Sequence, residues 1–257
     1  MSSPVTCVIE AGVATITLDR PDAKNRLDAE SMALLLEHLR STAGDPTVRV
    51  VVLTGSGTTF CSGADLAGAV AATSGGFASG GTSGLVDVLV AMLDHPKPII
   101  GRVQGHVAGG GNGLVAACDL AIASQDARFA FTEVRVGVAP AIISVVCLQV
   151  MHRRDAQELL LTGERVSAHR VLSAGLVTQV VESEALDAAV AAYVDQLAQG
   201  GPEAIARTKE LLRRVPAMPR DDAFAWTADV SAGLFTSSEA REGMTAFLEK
   251  RKPEWAP

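Results

Sequence analysis

The chain has 257 residues, of which 48% are hydrophobic and 20% are charged, and its formal net charge is −7. This balance is ordinary for a globular protein and gives no sign of the basic surface that nucleic-acid-binding proteins use. The N-terminal MSSPVTCVIE lacks the basic and apolar parts of a signal peptide, and no apolar run reaches the roughly 18 residues of a membrane span. We therefore expect a cytoplasmic protein without nucleic-acid or membrane partners.

The first part of the chain predicts two strands, a helix and a third strand. VTCVIE (5–10) and VATITL (13–18) flank a short Ala-Gly break and are typical of a hairpin. Residues 28–40 predict a helix, because Asp28 can cap it and one face is apolar: Ala29, Met32, Leu35, Leu36 and Leu39. VRVVVLT (48–54) is a continuous apolar run, which is typical of a buried parallel strand.

The middle of the chain alternates between strands and helices. The glycine- and serine-rich segment 73–84 predicts a mobile surface loop, and a helix is expected near residues 85–94. Strands are predicted in PIIGRVQ (98–104) and LAIAS (120–124), with a helix that ends near residue 118 between them. This alternation indicates an α/β architecture with parallel strands.

The last part of the chain is predicted to be helical. LVTQVV (176–181) supplies one more strand, and from about residue 183 apolar residues recur at helical spacing. We therefore predict an α/β core over residues 1–195 and a helical C-terminal region over residues 196–257. The four cysteines are far apart without metal-ligand spacing, so we expect free thiols and no metal site: Cys7, Cys61, Cys118 and Cys147.

Two loops at predicted strand ends have unusual main-chain chemistry. FCSGADL (60–66) follows one apolar strand, and AGGGNG (108–113) follows another and opens a helix. The carboxyl ends of parallel strands meet at one edge of a sheet, where ligands bind. Peptide N–H groups at a helix start are unpaired and carry the positive end of the helix dipole. Two such groups converging from the two loops would form an oxyanion hole.

The run of glycines is also compatible with a phosphate-binding loop or with close packing alone. No Gly-Lys-Ser/Thr follows the glycines, so the Walker pattern fails. The dinucleotide pattern GxGxxG fails because Leu114 stands where its third glycine would be. The glycines alone leave ligand binding and close helix–strand packing open.

Five segments together are similar to the enoyl-CoA hydratase/isomerase (crotonase) superfamily, in the same order and spacing. They are FCSGADL, KPIIGRVQGHVAGGGNGLVAACDLAIAS, ARFAFTEVRVG, LTGERVSAHRVLSAGLVTQVV and EGMTAFLEKRKPEW, and the similarity runs from about Val5 to Trp255. The resemblance implies a spiral of ββα repeats with a helical C-terminal region that forms trimers, which often pair into hexamers. It also implies an acyl-CoA thioester substrate, with coenzyme A as part of that substrate and no separate cofactor.

The resemblance implies particular roles for residues of this chain. The N–H groups of Ala64 and Gly110 match the two donors of an oxyanion hole that stabilises a thioester enolate. Further residues match positions that contact coenzyme A or order its loop: Lys24, Arg26, Asp65, Leu66, Phe247 and Lys250. Phe247 and Lys250 would reach coenzyme A bound by a neighbouring subunit. For Lys24 and Arg26, ordinary surface charge is an equal alternative.

The resemblance also exposes a missing carboxylate. Two-base hydratases carry one glutamate at the position of Gly113 and another at Glu133, so only Glu133 can act as acid or base here. The alternative is that Glu133 is a loop carboxylate paired with Arg128 or Arg135. One carboxylate suits enoyl-CoA isomerisation and leaves hydration possible, whereas a catalytically silent acyl-CoA-binding protein is the alternative function. If the pocket has room, Gly113→Glu should increase the rate of crotonyl-CoA hydration relative to the native chain.

Overall fold

The computed structural model describes residues 3–64 and 81–256. Its strands are β1 Val5–Glu10, β2 Val13–Leu18, β3 Val50–Gly55, β4 Thr59–Cys61, β5 Ile99–Val103, β6 His106–Ala108, β7 Leu120–Ser124, β8 Arg128–Ala130, β9 Arg165–Ser167 and β10 Gln179–Val181. Its helices are α1 Ala29–Gly44, α2 Gly81–Leu93, α3 Gly110–Ala117, α4 Ala141–Val150, α5 Arg153–Thr162, α6 Ala168–Ser173, α7 Leu186–Ala198, α8 Pro202–Arg214, α9 Arg220–Phe235 and α10 Ser238–Glu249.

A six-stranded sheet in the order β1-β2-β3-β5-β7-β10 is the larger of two sheets. Strands β1 and β2 form the predicted antiparallel hairpin, and every later neighbour in this sheet is parallel. Strand β3 is buried along its whole length, because it is covered on both faces and its residues are almost all apolar. The predicted parallel α/β architecture is confirmed.

A smaller sheet in the order β4-β6-β8-β9 was not predicted from the sequence. Each of its strands has three residues, which is too short for a recognisable periodicity. Consecutive strands form pairs in which the first strand belongs to the large sheet and the second to the small sheet. These pairs are β3 and β4, β5 and β6, and β7 and β8. Each pair is followed by a helix, so this is the expected spiral of ββα turns.

Two helices differ in extent from the prediction. Helix α1 begins after Asp28, whose carboxylate accepts a hydrogen bond from the Ser31 N–H at 2.9 Å, and it continues to Gly44 instead of residue 40. Helix α2 begins at Gly81, so the end of the predicted 73–84 loop is helical. That part of the prediction was wrong, because the apolar face of α2 packs on α1 and overrides the weak helix propensity of glycine. Residues 73–80 lie outside the described residues.

The core has two parts. The main cluster lies between the sheets and helices α1–α6, and a second cluster joins α7 to the other face of the large sheet through Leu186 and Val190. The predicted boundary between residues 195 and 196 falls within α7. The division into a core and a C-terminal region stays a prediction.

The last three helices leave large apolar side chains in solvent. Phe224, Phe235, Phe247 and Leu248 are each at least 70% exposed on α9 and α10. This segment is held to the core by Arg49, which donates hydrogen bonds to the carbonyls of Gly200 and Trp255, each at 2.7 Å. Across residues 3–64 and 81–256, no helix has both the length and the apolarity needed to cross a bilayer.

Candidate active site

The loop after β4 is tied to the chain before α1. The Leu27 N–H donates to the Gly63 carbonyl at 2.8 Å, and Leu27 forms an isolated parallel bridge with Ala64. One residue earlier, the Ser62 N–H donates to the Lys24 carbonyl at 3.1 Å. These hydrogen bonds set the position of Ala64.

The loop before α3 is in backbone contact with the loop after β4. A Cβ atom built on Gly63 would lie 2.8 Å from the Ala108 carbonyl oxygen and 2.9 Å from the Gly110 nitrogen, closer than real Cβ contacts. A Cβ on Gly111 would lie 2.7 Å from the Cys61 carbonyl oxygen. The glycines therefore permit close packing, and that packing places Gly63, the residue before Ala64, against Gly110.

The two predicted donors, the N–H groups of Ala64 and Gly110, lie in the loop after β4 and at the start of α3. Gly110 is the first residue of α3, so its N–H belongs to the unpaired group at the positive end of the helix. Within the part of the chain that the structure describes, no backbone carbonyl accepts a hydrogen bond from the N–H of Ala64 or Gly110. Two N–H groups that converge from adjacent loops can bind an oxyanion or a polarised carbonyl oxygen.

Glu133 lies against the same glycines. It sits in a 3-10 turn, Thr132–Val136, directly after β8. A Cβ on Gly109 would be 3.7 Å from the Glu133 Oε1 atom. The Oε2 atom is buried without a hydrogen-bond partner among the described residues, and burial raises the pKa of the carboxyl. A carboxyl group with a raised pKa beside the glycine loop can take up and return a proton.

The alternative pairing of Glu133 with a nearby arginine is wrong. Arg128 donates to the carbonyls of Gln125 and Ala127. Arg135 donates to the carbonyls of Thr162 and Gly163 at 3.1 and 2.9 Å. Both arginines bind backbone carbonyls instead, so neither forms an ion pair with the Glu133 carboxyl.

Position 113 carries no acid or base, as predicted, but its surroundings differ from the expectation. Gly113 is buried in α3, and a Cβ there would lie 2.5 Å from the Ile143 Cγ2 atom. The expected room for a new carboxylate is therefore absent. The adjacent Asn112 is fully buried, and its amide donates to the Ala130 carbonyl at 2.9 Å, which ties α3 to β8. Sequence reasoning missed Ile143, which is one of several apolar residues in AIISVV.

The residues predicted to contact coenzyme A lie in different parts of the fold. Lys24 and Arg26 lie in the segment bonded to the Ser62–Ala64 loop, and the Arg26 guanidinium is 3.6 Å from the Asp28 carboxylate. Phe247 is 83% exposed on α10 and Lys250 caps its end; α10 packs mainly on α9 and not on the elements that carry Glu133 and Gly110. Asp65 and Leu66 lie outside the described residues.

Gly63→Ala is expected to destabilise the fold far more than a matched Gly12→Ala substitution. Both glycines have positive φ angles, +83° and +80°, so both alanines carry the same backbone strain. Only Gly63 faces backbone atoms that cannot move easily, whereas the nearest atoms to Gly12 are at 3.5 Å. Thermal unfolding should give a Tm lower by roughly 5 °C for Gly63→Ala than for Gly12→Ala. Equal Tm values would mean that the two loops are not in contact.

The sequence and the fold of this chain are similar to those of known proteins. A family model described as enoyl-CoA hydratase/isomerase matches residues 8–257. The chain is 35% identical over 252 residues to (E)-benzylidenesuccinyl-CoA hydratase of Thauera aromatica, covering 97% of this chain and 98% of the relative. It is 34% identical over 267 residues to carnitinyl-CoA dehydratase of Salmonella enteritidis, covering 99% of each. The solved structure of an enoyl-CoA hydratase from Mycobacterium smegmatis superposes with a TM-score of 0.93 at 38% identity, covering 99% of each chain. The chain belongs to the enoyl-CoA hydratase/isomerase family of acyl-CoA enzymes.

Proposed function

We propose that this enzyme is an enoyl-CoA isomerase that moves a double bond from C3–C4 to C2–C3 of an acyl-CoA thioester. The observation that carries the proposal is the partly buried Glu133 carboxyl next to Gly109, whose Oε2 atom has no hydrogen-bond partner among the described residues, with no second carboxyl at position 113. Moving one proton between two carbons requires one such group.

Each residue of the site has a step in the proposed reaction. The Glu133 carboxylate removes a proton from C2, and the C–H electron pair passes into the thioester to give a dienolate. The negative charge on the thioester oxygen accepts hydrogen bonds from the N–H groups of Ala64 and Gly110. The protonated Glu133 then donates the same proton to C4, and the double bond forms between C2 and C3. No atom is gained or lost, and the raised pKa of Glu133 favours retention of the proton between the two transfers.

Coenzyme A enters this proposal as part of the substrate, and no other cofactor is needed. Lys24 and Arg26 are proposed to contact its phosphates. Asp65 and Leu66 are proposed to belong to the loop that begins at Ala64 and lies along coenzyme A. Phe247 and Lys250 are proposed to reach coenzyme A on a neighbouring subunit of a homotrimer or a hexamer. The exposed apolar side chains of α9 and α10 support an assembly of this kind. A cytoplasmic location is also part of the proposal.

Hydration is the second candidate, and the names of two relatives favour it. One is named a hydratase and the other a dehydratase, so water is added in one reaction and removed in the other. Here a single glutamate would have to hold the water and supply the proton, so we expect hydration to be slower than isomerisation. An acyl-CoA-binding protein without turnover is the remaining alternative.

Turnover of two substrates by the purified enzyme tests the proposal. A 3-enoyl-CoA should gain the absorbance of a conjugated thioester as it is isomerised, whereas crotonyl-CoA should lose it slowly as it is hydrated. We expect kcat/KM for isomerisation to exceed that for hydration by roughly tenfold or more. A larger kcat/KM for crotonyl-CoA would make the protein a hydratase. Calorimetric binding without turnover of either thioester would support the silent binding protein.

A further inference from the structure

Ile143 occupies the volume into which any side chain at position 113 would extend. A Cβ on Gly113 would lie 2.5 Å from Ile143 Cγ2 and 3.1 Å from Ile143 Cβ, so even an alanine overlaps. Ile143 is 2% exposed and lies in the first turn of α4. A β-branched side chain in a helix has essentially one favoured χ1 rotamer, so the Cγ2 methyl cannot rotate away at low cost. Gly113 and Ile143 therefore form a complementary pair.

The face of α4 that carries Ile143 also covers the start of α3 and reaches Glu133. Cys147 is one turn after Ile143 on the same face, and its Sγ atom lies 3.9 Å from the Asn112 carbonyl oxygen. The pKa of the Cys147 thiol is raised to about 12, mainly by burial and further by the nearby Glu133 carboxylate. This face of α4 thus contacts α3 at positions 112 and 113, and what it presents there is a methyl group and an un-ionised thiol.

These contacts decide whether position 113 could present a polar group. A second carboxylate at position 113 would hold water there, whereas the Ile143 methyl groups that fill this space offer water no hydrogen bond.

We propose that Ile143 is a specificity-determining residue, which fills the space beside Gly113, keeps water from the β-carbon of the thioester and thereby favours proton transfer over hydration. The inference rests on the proposed function for its kinetic part, whereas the contact between the two residues is independent of it. The corresponding substrates are enoyl-CoA thioesters with hydrocarbon substituents at the β-carbon.

A thermal double-mutant cycle tests the contact without any assay of turnover. Gly113→Ala should lower Tm by roughly 5 °C in the native background and by less than about 1 °C in an Ile143→Ala background. Gly44→Ala is the matched control, since Gly44 is also helical and nothing lies within 4 Å of its Cβ position; it should not lower Tm. If Ile143→Ala does not fold, Ile143→Leu removes the branch next to position 113 at conserved volume. A Tm loss from Gly113→Ala that is equal in both backgrounds would overturn the proposal.

Relative rates test the role in specificity. Ile143→Ala, or Ile143→Leu, should raise the ratio of crotonyl-CoA hydration to 3-enoyl-CoA isomerisation about tenfold. Gly113→Glu alone should give no gain in hydration, whereas Gly113→Glu with Ile143→Ala should hydrate at least about tenfold faster than Gly113→Gln with Ile143→Ala. An unchanged ratio in the Ile143 variants would overturn the proposal. Failure of the proposed function would differ: the thermal cycle would still show coupling, but Glu133→Gln would turn over both thioesters at the native rate.

Discussion

Glu133→Gln is expected to lower kcat for isomerisation by roughly a thousandfold while the Kd for the acyl-CoA thioester changes less than about twofold. Amide and carboxyl groups have nearly the same shape, so substrate binding should survive, but the amide cannot accept the proton from C2. Steady-state kinetics and calorimetric binding on the same preparation measure the two effects. Full activity of this variant would remove Glu133 from the mechanism.

The pH dependence of stability provides an independent readout for the same variant. Burial raises the pKa of Glu133 in the folded chain, so between its unfolded and folded pKa values the folded state binds more protons than the unfolded state. The stability that protonated Glu133 contributes is therefore lost as the pH rises from the unfolded pKa, about 4, through the raised pKa of the folded state. The free energy of unfolding of Glu133→Gln, measured with urea, should exceed that of the native enzyme by more at pH 8 than at pH 4. A stability difference that does not change with pH would mean that the carboxyl is not buried as the structure has it.

Activity of the native enzyme should decline on the acid side, because the base must be ionised to remove the proton. The apparent pKa of kcat/KM should lie above that of an ordinary glutamate, since burial shifts it in that direction. The Gln variant should lack this acid limb in its residual activity.

Gly110→Pro is expected to lower kcat by roughly a hundredfold or more, because it removes one of the two proposed oxyanion donors. Gly110 is the first residue of α3, a position at which proline is well tolerated, so the helix should still form. Turnover of a 3-enoyl-CoA together with a thermal unfolding curve separates loss of the donor from loss of the fold.

Gly110→Ala is the matched control because it keeps the N–H group. Its Cβ would meet the Leu27 Cδ1 atom at 3.2 Å and the Leu85 Cδ2 atom at 3.5 Å, and both are ends of flexible side chains that can shift slightly. We expect the alanine variant to retain most of its turnover. Similar losses in the proline and alanine variants would show that shape, and not the N–H group, matters at this position.

Local patterns in the sequence were sufficient for the large sheet and the positions of its helices. Strands β3, β5 and β7 can be predicted as buried parallel strands from their mainly apolar residues. A strand that is covered on both faces is apolar on both faces, so its local sequence is enough to identify it. Asp28 predicts the start of α1 because capping involves residues only three positions apart. The glycines and the resemblance to a family indicated where two loops would meet.

Tertiary packing alone decided the small sheet, the partners of Glu133 and the space at position 113. The three-residue strands form because neighbouring strands supply hydrogen bonds from distant parts of the chain, and no local pattern contains that information. Glu133 lies close in sequence to Arg128 and Arg135, yet both arginines bind backbone carbonyls and leave the carboxyl unpaired. Gly113 and Ile143 are thirty residues apart, and whether a glycine leaves an open pocket or receives a neighbour's methyl group depends on how two helices pack. The sequence by itself thus determined which groups are available for chemistry, whereas the fold decided which of them are desolvated, because burial depends on contacts between residues that are far apart in the chain.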